Sequence, residues 1–148
     1  MIKGIKSNKI WLSVVFCLIL LIATVFRLAC LNKIDGLWYD ELVMYNQAVQ
    51  SSLKEVILYA LVDDVHLPLY QVLLHYWAKL FSFSDFSLRT FSVVCGILAV
   101  VFSFFIGKTI KSNFVGFILM GLFAINSFLI YYSQEVRMYE LLAMFSTL

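Results

Sequence analysis

Three short stretches bring together side chains that can move protons or hold anions. "DGLWYDE" carries Asp35, Asp40 and Glu41. "DDVHLP" carries Asp63, Asp64 and His66, and "SQEVRMYE" carries Glu135, Arg137, Tyr139 and Glu140. Arg89 stands between the second and third stretches. A carboxylate can take a proton from an attacking hydroxyl. A guanidinium can hold a phosphate leaving group through paired N–H donors. Together they have the chemistry of group transfer from a lipid phosphate to an acceptor.

Each stretch also has a plainer reading. Asp40, just ahead of "ELVMYNQ", can serve as a helix N-cap. Asp64 and His66 lie two apart and can share a metal ion, but two ligands are too few and no third lies near. No metal or other cofactor is therefore expected. Arg137 can simply neutralise Glu135 or Glu140. The aromatic residues Trp38, Tyr39, Tyr131, Tyr132 and Tyr139 suit anchoring at a membrane–water interface.

The surrounding chain explains why these charges stand out. Of 148 residues, 63% are hydrophobic and 14% charged, with mean hydropathy +0.94. Soluble domains are nearer half apolar and a quarter charged. A chain this apolar is expected to use lipid as its solvent, with charges forced to span ends or functional cavities. Cys17, Cys30 and Cys95 all lie within apolar runs and have no zinc or redox spacing. Nothing in the composition points to nucleic acid.

An apolar run from Ile10 to Leu31 follows Lys3, Lys6 and Lys9. It is too long for a signal-peptide core and right for a span. "RLAC" resembles a lipoprotein cleavage box, but Arg27 occupies a position that needs an apolar residue. The expectation is an uncleaved anchor with a cytoplasmic N-terminus. Further spans are expected at 86–107 and 114–132, with the start of a fourth at 138–148. Between them, residues 32–85 form an outer loop with three short helices, near 41–50, 53–62 and 66–81. Ser52 and Glu55 have capping-box spacing. In "HLPLYQVLLHYWAKLF", Gln71, His75 and Lys79 recur every fourth residue, which predicts a helix lying in the interface. If that helix does not cross, Lys108 and Lys111 fall on the side of Lys3, Lys6 and Lys9, as the positive-inside rule demands. The same choice puts "WYDE" and "SQEVR" on one outer face of a multi-pass cell-membrane protein.

"LWYDE", "DVHLPLYQVLLHYWAKLF", "DFSLRTFSVVCGILAVVF" and "YYSQEVRMYELLA", in that order, resemble the start of the polytopic GT-C glycosyltransferases. The nearest group is the protein O-mannosyltransferase and aminoarabinose-transferase superfamily. The resemblance runs from about Trp38 to Leu148. It implies an all-α, GT-C-like integral membrane bundle with juxtamembrane helices in its first outer loop. It also implies a polyprenyl-phosphate sugar as donor and a protein, lipid or glycan as acceptor. Asp40 would be the catalytic base or orient the acceptor, with Glu41 in support. His66 and Asp64, in a "DVHLP" similar to the family's D-x-H-P-P, would contact the lipid phosphate, although Leu67 replaces the first proline. Arg89, Glu135, Arg137 and Tyr139 would complete the substrate site. Family members are several hundred residues long, so the chain is expected to be the N-terminal part of a longer enzyme. The alternative is a non-catalytic membrane binding or assembly protein that retains the outer loop. A transporter fits less well, because transporters place their charges near the bilayer midplane.

Overall fold

The computed structural model describes residues 2–29, 31, 36–63 and 67–148, with side chains described for all of these except 2–8 and 63. Among these residues the chain is entirely helical: α1 (Ile2–Leu28), α2 (Tyr39–Ala48), α3 (Leu53–Asp63), α4 (Leu69–Leu80), α5 (Asp85–Ile110), α6 (Asn113–Ile125), α7 (Ser127–Ser133) and α8 (Tyr139–Ser146). Two helices are long and apolar enough to cross a membrane, Lys9–Leu28 and Asp85–Ile110. They match the spans expected at 10–31 and 86–107, the first ending three residues early.

The third expected span is broken. α6 and α7 meet at a bend of 57°. Asn126 makes the break, with extended backbone and a side-chain oxygen that accepts from the N–H groups of Phe128 (3.0 Å) and Leu129 (3.2 Å). Asn competes with the helix for its own backbone, which is why it starts helices better than it continues them. The break frees carbonyls at the end of α6. Arg27, fully buried, donates to Phe123 O (3.2 Å) and Ala124 O (3.3 Å), so a cation from α1 closes the exposed helix end.

These contacts set the order of the bundle. The C-terminal ends of α1 and α6–α7 and the N-terminal end of α5 lie together, and Gln134 Nε2 donates to Phe26 O (3.0 Å) and Arg27 O (3.2 Å). Lys9, Lys108 and Asn113 line one groove at the opposite end. The arrangement is therefore up–down–up. One core fills the spans: Ala23, Val100, Phe104, Met120 and Ala124. A second sits at the Arg27 end, where α2 and α4 pack on α5 through Met44, Ala48, Tyr70, Leu74, Leu88 and Phe91.

The short helices fall where the sequence suggests. Ser52 and Glu55 form the expected capping box: Glu55 N donates to Ser52 Oγ (3.3 Å) and Ser52 N to the Glu55 carboxylate (3.2 Å). At 12 residues, α4 is about 18 Å long at 1.5 Å per residue, too short to cross a bilayer. Its polar face is not the expected interfacial one. Gln71 and His75 are buried against α2, where Gln71 donates to the Gln47 side chain (3.0 Å) and His75 Nδ1 meets Ala48 O (2.7 Å). Only Lys79 of the three reaches the surface. Polar groups at helical spacing mark a face; here the face is satisfied by another helix.

The α5–α6 hairpin depends on two glycines. A Cβ on Gly107 would lie 2.7 Å from the backbone of Gly116, and one on Gly116 would lie 2.7 Å from Phe104 O. Backbone atoms cannot move aside as a flexible side chain can, and overpacking costs about 1–3 kcal/mol or more. Gly107→Ala is expected to lower the thermal unfolding midpoint in detergent by several degrees. Gly121→Ala, where nothing lies within 4 Å, should leave it unchanged or raise it slightly. Equal midpoints for the two variants would refute the close crossing.

Candidate functional site

Asp40 and Glu41 are adjacent but have different surroundings. α2 begins at Tyr39, so Asp40 is inside the helix and the N-cap position belongs to Trp38. Successive residues on a helix point about 100° apart. Glu41 turns inward and is fully buried, while Asp40 stays about one-third exposed.

Glu41 meets Arg89 in a two-point pair: Arg89 Nε donates to Glu41 Oε1 (3.0 Å) and Arg89 Nη2 to Glu41 Oε2 (2.8 Å). Glu41 also accepts from the N–H groups of Trp38 (3.3 Å) and Val136 (2.9 Å). Arg89 donates in addition to Leu31 O (3.2 Å) and Gly36 O (2.9 Å). Gly36 has φ +85°, a conformation open to glycine without Cβ strain. One ion pair thus joins the chain just after α1, the turn before α2, the second turn of α5 and the segment between α7 and α8.

That segment is also held from its other side. Arg137 O accepts from Ser92 Oγ (3.5 Å), which lies 3.2 Å from Tyr70 Oη. Arg137 N donates to Glu135 O (2.9 Å) in a tight turn, and Val136 is fully buried. The turn sends Arg137 back over α2, where its Nη1 meets Asp40 Oδ2 at 2.9 Å. Its Nη2 donates to Tyr139 Oη (3.3 Å), and the guanidinium carbon lies 5.5 Å from the Tyr139 ring centre and 6.0 Å from that of Trp38. An aromatic box around a cation favours it through the ring quadrupoles.

Asp40, Glu135, Arg137 and Tyr139 line one cavity of about 140 Å³ with Trp38, Tyr131 and Tyr132. The first and third sequence clusters therefore share one site. Burial raises the Glu135 carboxyl above its ordinary range. Glu41 and Asp40 push the same way, while Tyr131 and Arg137 oppose them. The site brings two carboxyl groups, a guanidinium and a phenol hydroxyl to one opening, and its cation can face an anionic group. Glu41 and Arg89 stand behind this cavity as its frame. Asp64 and His66 lie outside the described residues. Among the described residues no group of three His, Cys, Asp or Glu could hold a metal ion.

Arg27 was not among the expected site residues, and Glu140, expected at most as a partner of Arg137, lies instead beside Arg27. Glu140 is fully buried, and neither of its carboxylate oxygens makes a hydrogen bond among the described residues. A Cβ on Gly96 would fall 2.7 Å from Glu140 Oε2 and 2.9 Å from Arg27 Nε, so both groups crowd onto the same glycine. An Arg and a Glu each placed in an apolar run was the available signal.

No family model, curated protein or solved structure matches the chain.

Two measurements test this geometry. Removing one partner of a buried ion pair typically costs about 3–5 kcal/mol, whereas replacing both by apolar groups costs much less. Arg89→Met should therefore destabilise the protein more than the double variant Glu41→Leu/Arg89→Met. Additive losses in a double-mutant cycle would show that the pair is not coupled. The second concerns Glu135. A carboxyl whose pKa is raised by folding favours the fold below its unfolded pKa, and that contribution is lost as pH rises through the folded pKa. The stability of wild type relative to Glu135→Gln should thus decline as pH rises above 4.5, the ordinary value. A difference that stays flat or grows would overturn the assignment.

Proposed function

We propose that the chain is part of a GT-C-type membrane glycosyltransferase that takes a sugar from a polyprenyl-phosphate carrier on the extracytoplasmic face. The carrying observation is the meeting of Asp40 and Arg137 at 2.9 Å in one cavity, from segments nearly a hundred residues apart. It supports the motif resemblance, in which those two segments supply one site. In the proposed reaction the acceptor hydroxyl oxygen attacks the anomeric carbon. The bond from that carbon to the phosphate oxygen breaks and its electrons leave with the polyprenyl phosphate. Asp40 receives the hydroxyl proton, and Arg137 offsets the charge gathering on the phosphate. Glu41 and Arg89 act as positioning residues. His66 and Asp64 keep their proposed place at the lipid phosphate on the resemblance alone.

The multi-pass topology belongs to the same proposal. It is supported by Lys9, Lys108 and Lys111 lying at the end of the bundle opposite the acidic cavity, since the positive-inside rule assigns such an end to the cytoplasm. α6 and α7 together form the third span, and α8 begins a fourth.

A second reading has its own support. Small-molecule sites usually enclose about 300–1,000 Å³, well above the 140 Å³ here, and Asp40 already has its cation. This favours a non-catalytic membrane protein whose outer cavity is filled by its own ion pair. The two readings separate in one assay: release of polyprenyl phosphate from a labelled polyprenyl-phosphate sugar by membranes containing the protein. The enzyme reading expects release above that of control membranes, reduced about 100-fold or more in Asp40→Asn. Background release by wild type would favour the non-catalytic reading. Full release by Asp40→Asn would remove the base role from Asp40.

A further inference from the structure

At the end of the bundle away from the acidic cavity, α1, α5 and α6 leave a groove of about 530 Å³ between them. Lys9 of α1 and Lys108 of α5 both line it, and both are exposed. Deeper along the groove stand Phe16, Phe104 and Phe117, with ring centres 5.2 Å apart for Phe16–Phe104 and 4.9 Å for Phe104–Phe117. Asn113, at the start of α6, adds a polar amide at the mouth.

The charge here is one-sided. No Asp or Glu occurs from residue 1 to 34 or from 86 to 134, so the one acid in these three helices is Asp85, at the far end of α5 from Lys108. Among the described residues neither Lys9 nor Lys108 is in an ion pair, and Lys111 adds a third exposed cation one turn further on. Two cations at the mouth of an aromatic trough between apolar spans match an anionic headgroup attached to a hydrocarbon chain. Basic pockets between spans at the membrane surface bind such headgroups, at about 1 kcal/mol per cation.

We propose that this groove is a binding site for one anionic phospholipid, its phosphate between Lys9 and Lys108 and an acyl chain along Phe16, Phe104 and Phe117. The occupant is a lipid and not a soluble phosphate, because the trough behind the lysines is apolar. The inference does not depend on the glycosyltransferase reading.

Native mass spectrometry of the full chain, released from detergent with added phosphatidylglycerol or phosphatidylcholine, tests it. Wild type should retain phosphatidylglycerol at least about ten-fold more strongly, and the preference should shrink as ammonium acetate concentration rises. Lys9→Gln/Lys108→Gln should lose about 25-fold in phosphatidylglycerol affinity, from about five-fold per lysine. Lys54→Gln, on α3, should change nothing. Equal retention of the two lipids by wild type, or unchanged retention in the double variant, would overturn the site. So would a mass of two chains without lipid, which would show that a second copy covers the groove. The comparison of the two lipids on wild type stands even if the double variant fails to fold.

Discussion

The buried pair of Glu41 and Arg89 is the constraint from which the cavity end of this structure follows. Taking two charges out of water is costly, and their attraction offsets that cost only when the remaining donors and acceptors are also satisfied. Here they are: the carboxylate accepts backbone N–H groups from Trp38 and Val136, and the guanidinium donates to two carbonyls. Each of those backbone groups belongs to a connection between helices. An apolar contact would tolerate rotation of α2 on α5; two parallel N–H···O bonds do not. The pair gives little net stability in exchange for orientation, and it orients two connecting segments at once, α1–α2 and α7–α8.

The cavity is a consequence of that orientation. With Glu41 facing inward, its neighbour Asp40 must face the opening. With Val136 N tied to Glu41 and Arg137 O tied to Ser92, the side chain of Arg137 is left to point back across α2. The Asp40–Arg137 contact is then made between groups that are already placed. Preorganised charges of this kind can act on a developing charge without first having to reorganise.

Much of this was legible in the sequence, and the parts that were not have a common cause. Local signals held: the lysine-flanked apolar run of α1, the Ser52–Glu55 capping box and the shortness of α4. Failures came where a pattern identifies a face and not its partner. Gln71 and His75 share a helical face whether that face meets water or Gln47, and only the fold brings Gln47 there. Asp40 and Glu41 look interchangeable until the helix start is known; Glu41 falling three residues after Trp38 is a hint, since a Glu at that position bonds back to the cap. The break at Asn126 was visible in kind, because Asn starts helices more readily than it continues them. Its cost is met by Arg27, 99 residues earlier, and no local pattern could supply that link.

α8 connects the two ends of the problem. Its first residues are Tyr139, in the cavity, and Glu140, fully buried beside Gly96 of α5. Rotating α8 to relieve one would displace the other. Glu140 shares with Arg27 the space that Gly96 leaves open. Arg27 in turn closes the end of α6, so the bend before α7 and the placement of Tyr139 are joined through one glycine. Glu41 and Glu140, both fully buried, thus fix the two segments that bear the cavity residues. Among the described residues the side chain of Arg137 is held by partly exposed Asp40, by Tyr139 and by the ring of Trp38, and by no buried partner. In the proposed reaction, exchange of Arg137 from Asp40 to the donor phosphate would free the carboxylate at the moment the cation is needed elsewhere.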